Sequence, residues 1–355
     1  MPDRSERSHL WPGVPLALGS AVLFGISAPL SKLLMGSMSP WLLAGVLYLG
    51  AGIGLAITHY GRTALGLTKV EAPLKRADLP WLAAVLFFGG FLGPLLLMFG
   101  LSMTSASSGS LLLNLEGLAT MAIAWLIFRE NVDRRLLLGA AAILAGAVVL
   151  AWNGEGLSLD LGGLLIAAAC LSWGIDNNLT RKLSSADPVQ IAMIKGLVAG
   201  AANLVLALGS GAIIPPVGLI AAGATVGFLG IGVSLVMFML ALRHLGTART
   251  GAYFSLAPFI GALLALALLG EPFTIQLGMA GVLMALGLWL HLSEDHRHEH
   301  AHEPLEHEHR HIHDEHHQHR HEGPVSEPHS HAHRHQPLRH SHPHYPDLHH
   351  RHGHQ

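Results

Sequence analysis

The sequence predicts an all-α integral membrane protein, with ten transmembrane helices as two inverted five-helix repeats followed by a disordered histidine-rich tail. Three observations lead there. Long apolar runs separated by short polar breaks fill the chain up to about Leu292. Lys and Arg occupy alternate breaks and are absent from the others. Short motifs recur in two halves of the chain. The expected divisions are an N-terminal segment 1–13, a first five-helix unit 14–152, a second unit 153–292 and a tail 293–355.

Composition sets the class. The 355 residues are 51% hydrophobic and 12% charged, against about 25% charged in an ordinary soluble domain. Mean hydropathy is +0.44 even with the polar tail included. A run of about 18 apolar residues is long enough to cross a bilayer. Spans are expected near 14–35, 40–58, 79–101, 106–128, 136–152, 161–181, 189–208, 216–241, 247–269 and 275–292. Pro29, Pro94 and Pro258 fall inside them, and neighbouring helices can satisfy the backbone groups that proline frees. The first span follows Arg4 and Arg7 as a signal peptide would. Its length and the lack of a small-x-small cleavage site favour a retained helix. The single cysteine, Cys170, excludes an intrachain disulfide.

Charge orients the spans. Basic residues sit at Arg4 and Arg7, at Arg62, Lys69, Lys75 and Arg76, at Arg129, Arg134 and Arg135, at Arg181 and Lys182, and at Arg243 and Arg249. The intervening breaks have no Lys or Arg. Cytoplasmic loops hold the excess of Lys and Arg, so both termini are expected in the cytoplasm, with the protein in the cell (inner) membrane.

The repeat is read from paired motifs. An ungapped offset of 141 carries Glu130 onto Glu271 and Gly146 onto Gly287, while Phe24-Gly25-Ile26 matches Trp173-Gly174-Ile175. Five spans per unit is an odd number, so the second unit is inverted. Inverted repeats are characteristic of secondary transporters, whose substrate site lies between the halves.

These features resemble the drug/metabolite transporter superfamily, and within it the EamA-type permeases. The resemblance covers roughly residues 14–292. It rests on the five-plus-five arrangement, on apolar helices ending in Phe128-Arg129-Glu130 and Leu269-Gly270-Glu271, and on the Gly-rich helix after each. It implies that spans 1–4 and 6–9 surround a central cavity while spans 5 and 10 are peripheral. It also implies a small-molecule substrate such as an amino acid, another metabolite, a nucleotide-sugar, a phosphorylated sugar or a drug. The pattern departs at Glu116-Gly117, where a Pro often follows Leu; the Pro is kept as Pro258 in the second half.

Charged residues inside a membrane are expensive, about 2.5–3.5 kcal/mol each on insertion scales, and so mark candidate sites. Glu116 lies mid-span on a helical face with Leu113 and Thr120, whereas Asn114 points elsewhere. It is a candidate cavity acid and proton carrier, or else a structural acceptor between helices. Asp176, Asn177 and Asn178 are consecutive and cannot all face one way; they are substrate contacts or a polar cluster at the helix end. Lys195 pairs with Asp176 or Glu116, binds a substrate carboxylate, or snorkels to the interface. Lys32 is expected to snorkel. Trp173 and Tyr253 are candidate linings with core packing as the alternative. No Walker A loop, metalloprotease motif or nucleophile constellation is present, which disfavours a membrane enzyme.

Beyond Ser293 the composition breaks. Residues 296–354 contain 23 of the 27 histidines. They alternate at His296, His298, His300 and His302, at His307, His309, His311 and His313, and at His329, His331, His333 and His335. With interleaved acids and recurrent Pro, nothing apolar remains to fold, and disorder is expected. Neutral imidazoles suit Zn, Ni, Co and Cu. The sequence therefore points to a small-molecule carrier, with the bilayer and divalent metals at the tail as partners, no required cofactor and no nucleic acid. A homodimer is compatible with it. The alternatives are a divalent metal (Ni, Co or Zn) transporter, against which no His cluster lies within the spans, and a membrane-anchored metal sensor or buffer.

Overall fold

A computed structural model of the protein describes residues 12–66, 74–127, 134–152, 160–180, 183 and 187–292. In the tail it describes the backbone of 297–301, 306–311, 329–334 and 339–343. The helices are α1 (Gly13–Leu34), α2 (Pro40–Ala64), α3 (Arg76–Met103), α4 (Ala106–Leu126), α5 (Arg134–Leu150), α6 (Leu161–Thr180), α7 (Pro188–Gly209), α8 (Val217–Gly227, continued through Phe228–Val233 into Ser234–Phe254), α9 (Ala257–Leu269) and α10 (Ile275–Leu292). Six of the described helices are long and apolar enough to cross a membrane by length and composition.

Two helices change register midway. In α3 the stretch Leu86–Leu92 is π-helical, and in α8 so is Phe228–Val233. In α4 a turn at Leu113 and Asn114 separates Ala106–Leu112 from Leu115–Leu126. Asn114 Nδ2 donates to Leu111 O at 2.8 Å, a local bond that competes with continuous helix. A matching turn at Ser255 and Leu256 precedes α9, where Pro258 in the first turn starts a new helix without needing its missing N–H.

The sequence reading expects a break between spans ending at 241 and starting at 247, yet Ser234–Phe254 is assigned as one helix. The rings of Phe238 and Phe254 nevertheless lie 4.8 Å apart. Sixteen residues of straight helix would separate them by about 24 Å, so the chain reverses direction within this element.

Packing is by facing pairs. α2 lies along α7 and α5 along α10; α3 and α4 pack on α6, and α8 and α9 pack on α1. Glycines set the α2–α7 approach. A Cβ on Gly196 would meet Gly52 N at 2.5 Å, and one on Gly45 would meet Leu204 N at 2.9 Å, the close backbone contact that small residues allow between membrane helices. The main core gathers Leu43, Leu47, Leu101, Ile166 and Cys170. Outward-facing Ile57, Leu126, Leu263 and Val282 are all more than half exposed, an apolar surface of the kind a bilayer covers.

Within the tail, for which disorder is expected, the described residues form two strand pairs. Arg297–Ala301 pairs antiparallel with Arg339–Pro343, and Glu306–His311 with His329–Arg334. Alternation of period two matches the strand repeat, which helix- and core-based reasoning overlooks.

Candidate functional site

The charged residues of α4, α6 and α7 converge where α6 passes between α3 and α4. Lys195 Nζ lies 2.5 Å from Asp176 Oδ2, and both residues are buried. Thr180 Oγ1 donates to Asp176 Oδ1 at 3.3 Å. Thr180 lies one turn beyond Asp176 on α6, and helical side chains four apart are neighbours. Asn177 Nδ2 donates to Glu116 Oε1 at 2.9 Å and to Thr120 Oγ1 at 3.2 Å. Asn178 Nδ2 reaches Thr120 O and Gly174 O at 3.1 and 2.8 Å. The three consecutive polar residues of α6 thus divide: Asp176 toward α7, Asn177 and Asn178 toward α4.

Gly89 in the π segment of α3 makes room for the ion pair. A Cβ there would fall on the Asp176 carboxylate and the Lys195 ammonium. Gly89 O accepts from Tyr48 OH and from Trp173 Nε1, each at 3.2 Å, and Ser172 Oγ donates to Phe88 O at 2.9 Å.

The cluster meets open space. Ile166, Cys170, Trp173 and Asn177 share one face of α6 by their spacing. Ile166 and Cys170 are fully buried and Trp173 is 8% exposed, yet Asn177 is exposed and Glu116 is half-buried. The buried face of α6 therefore opens at Asn177. Among the described residues no group of three or more His, Cys, Asp or Glu side chains lies close enough to hold a metal ion.

Of the residues singled out from sequence, Glu116, Asp176, Asn177, Asn178, Lys195 and Trp173 come together. Two do not. Asn114 turns toward α10, with Met284 Sδ 3.8 Å from its amide. Tyr253 packs with Ala17, Ala241 and Leu245. Lys32, expected to snorkel, instead donates to Leu101 O and to Thr104 O, capping the end of α3. Glu271, noted only as a repeat marker, accepts from Ala106 N at 2.7 Å and Ser107 N at 2.9 Å, capping α4. Tyr48 and Gly89 were missed; the available signals were a hydroxyl in an apolar span and the Gly89-Gly90 pair. His296, His302, His313 and His335 lie outside the described residues. The other eight candidate histidines of the tail lie in the strands: those of 307–311 and 329–333 at register positions such as His309 opposite His331, and His298 and His300 opposite His342 and His340.

An ion pair and a half-buried carboxylate enclosed by apolar helices define a polytopic membrane protein with a polar interior site. The model of the EamA-like transporter family matches residues 11–152 and again 160–293. A protein of Methanothermobacter thermautotrophicus described as an uncharacterized transporter is 31% identical over 79% of this chain and 86% of its own length. The uncharacterized transporter YyaM of Bacillus subtilis is 23% identical over 77% of this chain and 91% of its own. A probable amino-acid metabolite efflux pump of Salmonella typhimurium is 27% identical over 49% of this chain and 54% of its own. One crystal structure superposes with a TM-score of 0.58 at 18% identity, covering 78% of this chain and 94% of that one, a likeness of fold. The chain belongs to the EamA-like transporter family, and it is a multi-pass membrane protein.

Proposed function

We propose that the protein is a secondary carrier of a small organic metabolite or drug, working by alternating access through ten helices in two inverted five-helix repeats. The observation that carries this reading is the polar cluster of Glu116, Asp176, Asn177 and Lys195 beside an opening in the buried face of α6. Ionisable groups at such depth line pathways rather than fold helices. The paired packing supports two related units: α3 and α4 on α6 answer α8 and α9 on α1. Glu116 acts as the coupling or cavity acid, and Asp176, Asn177 and Lys195 contact substrate or organise the site. The description of a relative as an amino-acid metabolite efflux pump makes amino acids and their derivatives the first compounds to test.

The tail is an appendage on the cytoplasmic side that binds Zn, Ni, Co or Cu and serves regulation or buffering; transport itself needs no cofactor. The alternating Lys/Arg pattern supports cytoplasmic termini. With Cys170→Ala as background, Gly156→Cys and Gly211→Cys should react with an impermeant thiol reagent in intact cells. Failure at both sites, with labelling after lysis, reverses the topology.

The purified protein should show ligand-dependent thermal shifts with an organic compound, because ligands that bind the folded state stabilise it. Truncation after Ser293 should keep those shifts and abolish most zinc and nickel binding. The compound that shifts the midpoint should then exchange in proteoliposomes. Metal binding of equal stoichiometry in the truncated protein, with no organic ligand found, would favour the metal-carrier reading instead.

A further inference from the structure

We infer that Pro94 fixes the place of the Asp176–Lys195 pair through a carbonyl it leaves without a backbone donor, so that Tyr48 and Trp173 are positioning residues for that pair. The inference rests on the reading of the pair as part of the transport site. In the π segment each N–H bonds five residues back, and Gly93 N–H is directed to Phe88 O. The next donor in that register is residue 94, and it is proline, which has no N–H. Gly89 O is therefore stranded in mid-helix, where an apolar surrounding offers an unpaired carbonyl no water to replace the lost bond.

Two side chains satisfy it. Tyr48 OH comes from α2 and Trp173 Nε1 from α6, each at 3.2 Å. The same peptide forms the wall of the ion pair, since a Cβ on Gly89 would overlap both Asp176 and Lys195. One peptide thus joins α2, α3 and α6 and borders the charges between α6 and α7. A shift of the bulge moves the wall, and loss of either donor frees the bulge to shift. The matching bulge in α8 has Gly230 where α3 has Gly89, Leu235 in place of Pro94 and Phe24 in place of Trp173. Leu235 keeps its N–H and Phe24 has no donor, so the device exists on one side only.

The test uses full-length purified protein and dicyclohexylcarbodiimide, an apolar reagent that adds to protonated carboxyls, with the modified residues mapped by mass. In the parent, Asp176 should react weakly because it is buried and its carboxylate is paired with Lys195. Tyr48→Phe should raise Asp176 labelling several-fold. Pro94→Ala supplies an N–H to the helix and should also raise it. In the Pro94→Ala background Tyr48→Phe should then add little, because neither bulge nor stranded carbonyl remains to be held. If Pro94→Ala is not monodisperse, Trp173→Phe takes its place, and it should raise labelling as Tyr48→Phe does. Unchanged Asp176 labelling in Tyr48→Phe, or effects that simply multiply in the double variant, overturn the inference. If labelling behaves as stated while Asp176→Asn transports a ligand found by thermal shift at the parental rate, the positioning stands and the transport role of the pair falls.

Discussion

The contact of α3 and α4 with α6 and the contact of α8 and α9 with α1 share a backbone plan and differ in chemistry. Each has a π segment at the same place, with Gly89 and Gly230 in equivalent positions. Gly89 faces Asp176, and Gly230 faces Ser27, whose Cβ would lie 2.7 Å from an added methyl. Ser27 is the position that the Phe24-Gly25-Ile26 and Trp173-Gly174-Ile175 match aligns with Asp176. Gly174 meets Ala119 and Thr120, and Gly25 meets Ala257 and Ile260. At the polar positions the two regions part. The offset of 141 pairs Glu116 with Ala257 and Thr120 with Gly261, and the α6–α1 match pairs Asn177 with Ala28. Ser20 and Ser234 exchange bonds in the second region, Ser20 Oγ to Ser234 O at 2.8 Å and Ser234 Oγ to Ser20 O at 2.9 Å, but no charge is buried there among the described residues. The shared part, glycines at crossing points, is what close helix packing requires. The unshared part costs insertion energy and adds nothing that the second region needs in order to pack.

The largest effect expected from this contrast lies at the ion pair. Asp176→Asn or Lys195→Met alone leaves an unpaired buried group, a loss of about 3–5 kcal/mol, seen as a large drop in denaturation midpoint in detergent. The double variant should recover most of it. Ser27→Ala should cost only about 1 kcal/mol, the net worth of its bond to Phe24 O. Equal losses at Asp176 and Ser27 would erase the distinction between the two regions.

The two π segments offer a smaller difference. Gly89→Ala and Gly230→Ala both overpack, a change that costs about 1–3 kcal/mol in ordinary cores. At Gly89 the methyl displaces a charge pair; at Gly230 it meets Ser27 Cβ at 2.7 Å and Leu23 O at 3.2 Å. The midpoint should fall further for Gly89→Ala, and transport should be lost there first. The reverse order would make the second region the more sensitive one.

Glu116→Gln should change stability least. The amide keeps the shape and can still accept from Asn177. Its effect should appear in transport: if Glu116 carries the proton, the rate of the variant should no longer vary with pH between about 5 and 8, a range in which a buried carboxyl can titrate. A variant that follows the parental rate throughout that range returns Glu116 to packing.

Much of this was legible in the chain. The helices follow from apolar length, and Arg62 and Arg134 lie at helix ends, as the break pattern implies. The face shared by Glu116 and Thr120 follows from helical spacing, and Asn177 bridges both as that face requires. The choice of Asp176 as the partner of Lys195 was open, because pairing across helices depends on their relative rotation, which no local pattern encodes. Tyr253 was open between lining and core packing for the same reason: an aromatic in an apolar span looks alike whether it faces a site or, as here, Ala17 and Leu245. Lys32 and Glu271 were read as interface and repeat markers. Their roles as caps depend on where the ends of α3 and α4 arrive.

By itself the sequence determined that the chain is helical, membrane-embedded and built from two related halves, because burial in a bilayer demands long apolar runs and repetition survives as spacing. Only the tertiary structure decided that the charges gather beside one of two similar π segments. That outcome depends on a proline that removes a single N–H, on a glycine that leaves a space the size of a side chain, and on donors brought from two other helices. Each is a contact between distant residues, and the free energy of such a contact exists only once the helices have docked.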